Sequence, residues 1–236
     1  GKTPHTEYLA ELLSKEFRVA TLSRGYRRKS RDFRIAKTDS KVIDIGDEPL
    51  QMKQKFPELI VAVDRERVNG IRQLMKLAPQ VEVVLLDDAF QHRSLKPGYS
   101  ILLIDYNRPI QNDRLLPAGL LREPAANRNR ANMILVSKTP SDIKPIEMRE
   151  YVNKLQLQIG QHLFFTTMSY GALRPLYPGI DKKTRDEAWF RKHETGILLI
   201  SGIANPQGLR SYAESISIHI LELKYSDHHR YSLKDI

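Results

Sequence analysis

The chain has 236 residues, enough to bury a substantial core as one large domain or two smaller ones. Hydrophobic residues make up 41% and charged residues 28%, and the absence of cysteine excludes disulfides, thiolate metal sites and cysteine nucleophiles. An excess of 38 Lys+Arg over 28 Asp+Glu gives a net charge of +10 and a pI near 9.7. Such a surface attracts polyanions: nucleic acid, nucleotides or an anionic membrane face. No apolar run approaches the roughly 18–20 residues that a membrane-spanning helix needs.

Taken in chain order, Leu9, Leu12, Leu13 and Phe17 recur at helical spacing directly after Gly1-Lys2-Thr3-Pro4. Val19-Ala20-Thr21-Leu22 reads as a strand, Val42-Ile43-Asp44-Ile45 as a short second candidate and Leu59–Val63 as a third. Val68, Ile71, Met75 and Ala78 mark a helix. Continuous apolar strands follow at Val83–Leu86, Ile101–Ile104 and Met133–Val136. Runs apolar on both faces are what a parallel sheet covered by helices requires, so the expected fold is α/β, a P-loop NTPase-like, doubly wound, mostly parallel sheet.

Beyond residue 160 the order is less regular. Leu163–Thr166 looks like a strand, Arg174–Glu194 like a loop or linker, and Ile197–Ile200 like another strand. Asn205-Pro206 then opens a helix with Leu209, Tyr212, Ala213 and Ile216 inward. The expected division is a core domain over 1–160 and a second, smaller α/β lobe over 161–236.

Gly1-Lys2-Thr3 matches the end of the phosphate loop G-x-x-x-x-G-K-[ST]. In that motif amides at a helix start cradle phosphates, the lysine reaches the β and γ oxygens, and the threonine hydroxyl binds Mg²⁺. The amphipathic helix starts where the motif demands it. The strand Val83–Leu86 delivers Asp87 and Asp88 to its C-terminal end, as in the carboxylate arrangement that holds Mg²⁺. Thr3, Asp87 and Asp88 are therefore the metal candidates, and Gly1, Lys2 and Thr3 the ATP-binding ones. On a strand the two aspartates would point to opposite faces, and Asp87, directly ending the apolar run, is favoured at the metal. With only the end of the loop present, most amides for the β-phosphate are missing, and weak ATP binding is expected.

Several longer strings occur in order: Leu22-Ser23-Arg24-Gly25-Tyr26, Gly46-Asp47-Glu48-Pro49-Leu50, Leu86-Asp87-Asp88-Ala89-Phe90-Gln91-His92-Arg93 and Leu115–Pro124. Ser201-Gly202-Ile203-Ala204-Asn205-Pro206 and Asp227-His228-His229 follow. The series resembles the tetraacyldisaccharide 4′-kinase family of lipid A biosynthesis, with Ala89 where glycine is expected and Leu120 where proline is usual. The resemblance implies transfer of the ATP γ-phosphate, with Mg²⁺, to the 4′-hydroxyl of tetraacyldisaccharide 1-phosphate. The expected setting is the cytosolic face of the inner membrane, against its anionic surface, with no nucleic-acid partner. It implies catalytic roles for Asp47, His228 and Asp88, with Asp47 as base or orienting group paired with His228 and the base assignment open between Asp47 and Asp88. Substrate contacts are implied for Ser23, Arg24, Gly25, Tyr26, Glu48, Gln91, His92, Arg122 and Glu123. The family normally carries an N-terminal membrane-associating helix and the first half of the phosphate loop, so a core portion of a longer enzyme is expected.

Other readings of the same residues are capping for Asp47 and Glu48, a loop contact for His92 and a salt bridge for Arg122 and Glu123. Arg24, Arg27, Arg28, Lys29, Arg31 and Arg34, interleaved with Tyr26 and Phe33, are a solvated loop, a phosphate clamp or a base-stacking patch. Ser137-Lys138-Thr139, after a strand, is a place to look for adenine contacts. A P-loop kinase of a soluble substrate needs only the phosphate-loop features, and a nucleic-acid-binding module needs only the charge.

Overall fold

A computed structural model describes residues 1–26, 28–175, 185–203, 205–227, 229, 231–232 and 235. The chain divides into two compact units, Gly1–Thr167 and Met168–Ile236.

The first unit opens with α1 (Lys2–Leu13), then β1 (Val19–Ser23), β2 (Arg34–Ile35), α2 (Val42–Ile45), α3 (Asp47–Lys55), β3 (Ile60–Val63), α4 (Arg67–Leu77) and β4 (Val83–Leu86). These strands form one sheet in the order β2-β3-β1-β4. β1 pairs in parallel with β3 (Leu22 opposite Ala62) and with β4 (Leu22 opposite Leu86), while β2 is an antiparallel edge. A second sheet, β5-β6-β7, is built from β5 (Ile101–Asp105), β6 (Met133–Ser137) and β7 (His162–Phe165), all parallel, with α5 (Pro145–Leu155) connecting the last two.

Strand alternation sorts the core. Val19, Val61 and Val63 join Ala10 of α1 and Met52 of α3 in one buried cluster. Ala20, Leu22 and Ala62 point the other way and pack with Leu74 of α4. With both faces covered, these strands are apolar at nearly every position, with the buried Thr21 and the strand-end Ser23 of β1 as the polar ones. A third cluster, including Ile104, Ile134, Val136 and Leu155, closes the second sheet against α5.

α1 packs differently from its apolar spacing. Leu12 and Phe17 are 44% and 41% exposed, whereas Glu7 is buried. The Glu7 carboxylate accepts from Gln51 (2.8 Å) and Lys55 (2.5 Å) of α3, so polar pairing, with Ala10, sets the inward face. Val42–Ile45, expected as a strand, is a helical turn. Ile45 is buried in the core from that turn and Asp44 pairs with Arg34 at 3.2 Å, leaving Arg34–Ile35 to take the sheet edge. Three apolar residues in a run of four fit either period, which is why spacing alone misread them.

In the second unit, α6 (Glu187–Lys192) precedes β8 (Ile197–Ser201), α7 (Gln207–Ile216) and β9 (Ile220–Lys224), with β8 and β9 parallel. The sequence reading passed over β9 and placed α6 inside a loop. The strand Leu163–Thr166, read as part of the smaller lobe, instead extends the second sheet of the first unit through its pairing with β6. Among the described residues no helix is long and apolar enough to cross a membrane.

Two glycines join the loop after β1 to the start of α3. Gly25 has φ +66°, and a Cβ there would lie 2.7 Å from the Ile45 carbonyl oxygen. Gly46, at φ +94°, would place its Cβ 3.2 Å from the Gly25 Cα. Left-handed backbone and close approach both demand glycine. Gly25→Ala should therefore cost about 1–3 kcal/mol in urea denaturation. Gly98→Ala, where a Cβ meets nothing within 4 Å, should leave the midpoint unchanged.

Candidate active site

In parallel α/β sheets ligands gather beyond the carboxyl ends of the strands. Here those ends carry Ser23 at the end of β1, Asp64 after β3 and Asp87 and Asp88 after β4 in the first sheet, and Asp105 at the end of β5 and Lys138 after β6 in the second. The backbone stitches part of the first sheet's edge together. The Asp64 and Asp87 amides donate to the Ser23 and Leu22 carbonyls at 3.0 and 3.2 Å, extending the ladder past the strands proper.

The start of α1 lies at this edge. Lys2 Nζ is 2.8 Å from Asp88 Oδ1, and Arg122 Nη1 is 3.3 Å from Asp88 Oδ2. Thr3 donates its hydroxyl hydrogen to Glu48 Oε1 at 3.1 Å. Thr3, Thr21, Ser23, Glu48 and Asp87, together with the apolar Pro49, Met52 and Val61, line a pocket of about 20 Å³, room for one water-sized guest. The structure thus brings together Lys2, Thr3, Glu48, Asp87, Asp88 and Arg122, drawn from four separated sequence strings.

Asp87 and Asp88 do take different partners, but not through strand alternation. Both follow β4 in a turn, and Asp88 has φ +50°. That left-handed residue swings its carboxylate to Lys2 and Arg122 while Asp87 stays with the pocket. Their electrostatics diverge accordingly. Burial, with the Asp88 charge adding to it, raises the Asp87 carboxyl above its ordinary value against the pull of Lys2. Asp88 is also partly buried, yet its hydrogen bond and charge pairing with Lys2, aided by Arg122, leave it below the ordinary value. Burial likewise raises Glu48, with Asp87 and Asp47 contributing and the Thr3 hydrogen bond opposing.

Asp47 is the first residue of α3, where its charge suits the helix dipole, and its Oδ1 accepts the Glu48 amide at 3.0 Å. Ser23 Oγ accepts the Gly25 amide at 3.3 Å, Arg24 is exposed, and Tyr26 is 56% exposed. Gln91 is exposed, and His92 Nδ1 shares a hydrogen bond with Ser94 Oγ at 3.3 Å. The Glu123 carboxylate is taken up by Arg130 (2.7 and 2.8 Å) and Asn127 (2.8 Å), with Arg93 at 3.7 Å. Gly1 precedes α1 as its N-cap. His228, Arg27 and Ala204 lie outside the described residues.

The basic run partly serves its own loop. Arg28 donates to the carbonyls of Arg24, Arg31 and Asp32, and Arg34 pairs with Asp32 and Asp44. Lys138, at φ +58°, pairs with Asp105 at 2.5 Å. Among the described residues no three His, Cys, Asp or Glu side chains form a metal cluster. A Mg²⁺ site of the phosphate-loop kind needs only one or two carboxylates beside substrate phosphates. The Thr3 hydroxyl and the Asp87 and Glu48 carboxyls, all hard oxygen donors around one small pocket, fit such an ion.

The sequence reading missed Arg67. It is 1% exposed, yet its guanidinium donates to the Asp64 carbonyl (2.8 Å) and the Asp87 carbonyl (3.3 Å), pinning two strand ends from below. Its buried Nε has no partner among the described residues. The only sequence signal was its place at the first position of a helix directly after a strand.

The whole chain, residues 1–236, matches the model of the family described as tetraacyldisaccharide-1-P 4′-kinase. The chain belongs to the tetraacyldisaccharide-1-P 4′-kinase family. It is 49% identical to the tetraacyldisaccharide 4′-kinase of Phocaeicola vulgatus over all of this chain and 64% of that relative. It is 46% identical to that of Bacteroides thetaiotaomicron, over all of this chain and 63% of the relative. The chain thus spans less than two thirds of the length of these curated relatives. Among solved structures it is similar to LpxK from Aquifex aeolicus in complex with ATP, with a TM-score of 0.72 and 30% identity over 97% of this chain and 68% of that one. The P-loop-type α/β fold expected from the strand pattern is the fold of this kinase family.

Two outcomes test the site as built. A carboxyl raised in the folded state contributes stability that is complete below its ordinary value and is lost as pH rises through the folded value. Asp87→Asn, which never ionises, should therefore melt higher than the parent at pH 7 and lose that advantage below about 3.8, the ordinary aspartate value. Arg67→Leu should cost about 2–4 kcal/mol in denaturant unfolding, because it orphans two carbonyls. Arg67→Lys should recover only part of this, one ammonium replacing a two-pronged donor.

Proposed function

We propose that the protein transfers the γ-phosphoryl group of ATP to the 4′-hydroxyl of tetraacyldisaccharide 1-phosphate, at the cytoplasmic face of the inner membrane. The observation that carries this reading is the convergence of Lys2 and Thr3, at the start of α1, with Asp87-Asp88 and with Glu48 beside Asp47 at one sheet edge. The relatives' shared name and the ATP in the Aquifex aeolicus structure supply the donor and acceptor.

In this reading Lys2 leaves Asp88 for the β and γ oxygens, and the α1 N-terminus adds its partial positive charge. Thr3, Asp87 and Glu48 would hold Mg²⁺, which when bound neutralises phosphate charge. Asp47 accepts the proton of the 4′-hydroxyl as its oxygen bonds to the γ-phosphorus, and the bond from that phosphorus to the bridging oxygen breaks to leave ADP. Arg122 and Arg24 supply cationic charge to substrate phosphates. Positioning and charge neutralisation dominate such a transfer, since little covalent chemistry is required.

The test is phosphate transfer by the full-length protein from labelled ATP to the acylated disaccharide 1-phosphate in detergent micelles, beside soluble glucosamine as acceptor. Transfer to the lipid alone, abolished by EDTA, is expected. Lys2→Ala should lower kcat by about 10²–10³-fold and Asp47→Ala by about 10²–10⁴-fold. ATP hydrolysis without lipid phosphorylation would retain the phosphate site and remove the lipid acceptor.

A further inference from the structure

Outside the phosphate site, one surface feature breaks the normal rule for soluble domains. The run Leu115-Leu116-Pro117-Ala118-Gly119-Leu120 lies on the surface, with Leu115, Leu116 and Leu120 exposed by 45%, 58% and 62%. Consecutive exposed apolar residues of this length are costly unless they serve a function.

The run is also held in shape. Asp113 Oδ1 accepts the Arg114 and Leu120 amides at 2.8 and 3.1 Å, while its other oxygen takes the Arg108 guanidinium. The Leu121 amide donates to the Arg114 carbonyl and the Leu116 amide to the Leu121 carbonyl, both at 3.0 Å, closing the loop on itself. A Cβ on Gly119 would sit 2.5 Å from Asp113 Oδ1, so the carboxylate fills the loop from inside and the leucines are turned out. A preformed apolar tip loses little further entropy when it is buried.

The surroundings name the occupant. Between residues 108 and 130 five arginines face two acids, a local charge of +3 on a chain already at +10. An apolar tip within a net-basic stretch complements an anionic bilayer, whose headgroups meet the excess positive charge while its acyl chains take the leucines. We propose that the Asp113-held loop of residues 114–121 is a membrane-insertion element, seating Leu115, Leu116 and Leu120 in an anionic phospholipid bilayer beside the phosphate site. Arg122, the next residue, contacts Asp88, so insertion brings the bilayer surface within one residue of the site carboxylates. The choice of a bilayer rests on the lipid-kinase reading; the loop geometry does not.

The chain has no cysteine, so Leu116→Cys carries a single environment-sensitive fluorophore. Vesicles of phosphatidylethanolamine with anionic phosphatidylglycerol should brighten and blue-shift the probe at 116, but not one at Met75→Cys, on the exposed face of α4. Leu116→Ser/Leu120→Ser should weaken vesicle partitioning by roughly tenfold or more per leucine, with an unchanged melting temperature. Unshifted emission with vesicles, or parental partitioning by the double variant, overturns the proposal. A shift that follows protein concentration without vesicles also overturns it, by assigning the tip to a second copy. All of this is read without nucleotide or acceptor lipid, so failure of the kinase reading shows separately in the transfer assay.

Discussion

Lys2 and Asp88 meet at 2.8 Å, and much of the site depends on that contact. It ties the first turn of α1 to the end of β4, two elements far apart in sequence, and so sets where the helix N-terminus points. The pair is partly solvated, and its contribution to stability is accordingly small. Its value is positional. With Lys2 at Asp88, Thr3 falls on Glu48, and Asp87 is left facing the same pocket. One cation is shared among carboxylates that would otherwise repel one another.

That arrangement stores unfavourable terms at the strand ends. Asp87 and Glu48 are carboxyls whose ionised forms are disfavoured by burial, and Asp88 and Lys138, neither of them glycine, adopt left-handed backbone. Arg67 lies beneath with one nitrogen unpartnered. Stability is supplied elsewhere, by the two apolar clusters on either face of β1 and β3. Such a division is what a binding site for a highly charged ligand and its cation requires, because those charges relieve the repulsion when they arrive. The apolar loop at residues 114–121 adds a second displaced cost, exposed hydrophobic surface held out by a carboxylate.

How much of this was legible in sequence depended on whether a residue's role is set locally. That Lys2, Thr3 and Asp87 come together could be read because a helix start and a strand end fix where those side chains fall. The buried strands were legible because both faces are covered and their runs are mostly apolar. Val42–Ile45 was not, since four residues carry no period and the competing pairing of Asp44 with Arg34 is a tertiary fact. Glu7 turned the inward face of α1 away from Leu12 through partners on α3 that spacing cannot show, while Leu13 still packs on the core. Arg67 was invisible for the same reason: nothing in D-R-E-R marks which arginine will be buried. The turn at Asp88 replaced a strand-alternation argument with a left-handed residue, and the two aspartates still went to separate partners.

Under the proposed function, one electrostatic unit at the strand ends receives a polyphosphate and its cation. This is tested most directly by titrating the Asp87 and Asp88 carboxyl carbons by NMR, first in EDTA and then with ATP and Mg²⁺. The account predicts that Asp87 titrates above and Asp88 below the ordinary aspartate value in the free protein, and that the complex drives Asp87 down. Two carboxyls titrating alike at the ordinary value, or an Asp87 unmoved by nucleotide and cation, would contradict it.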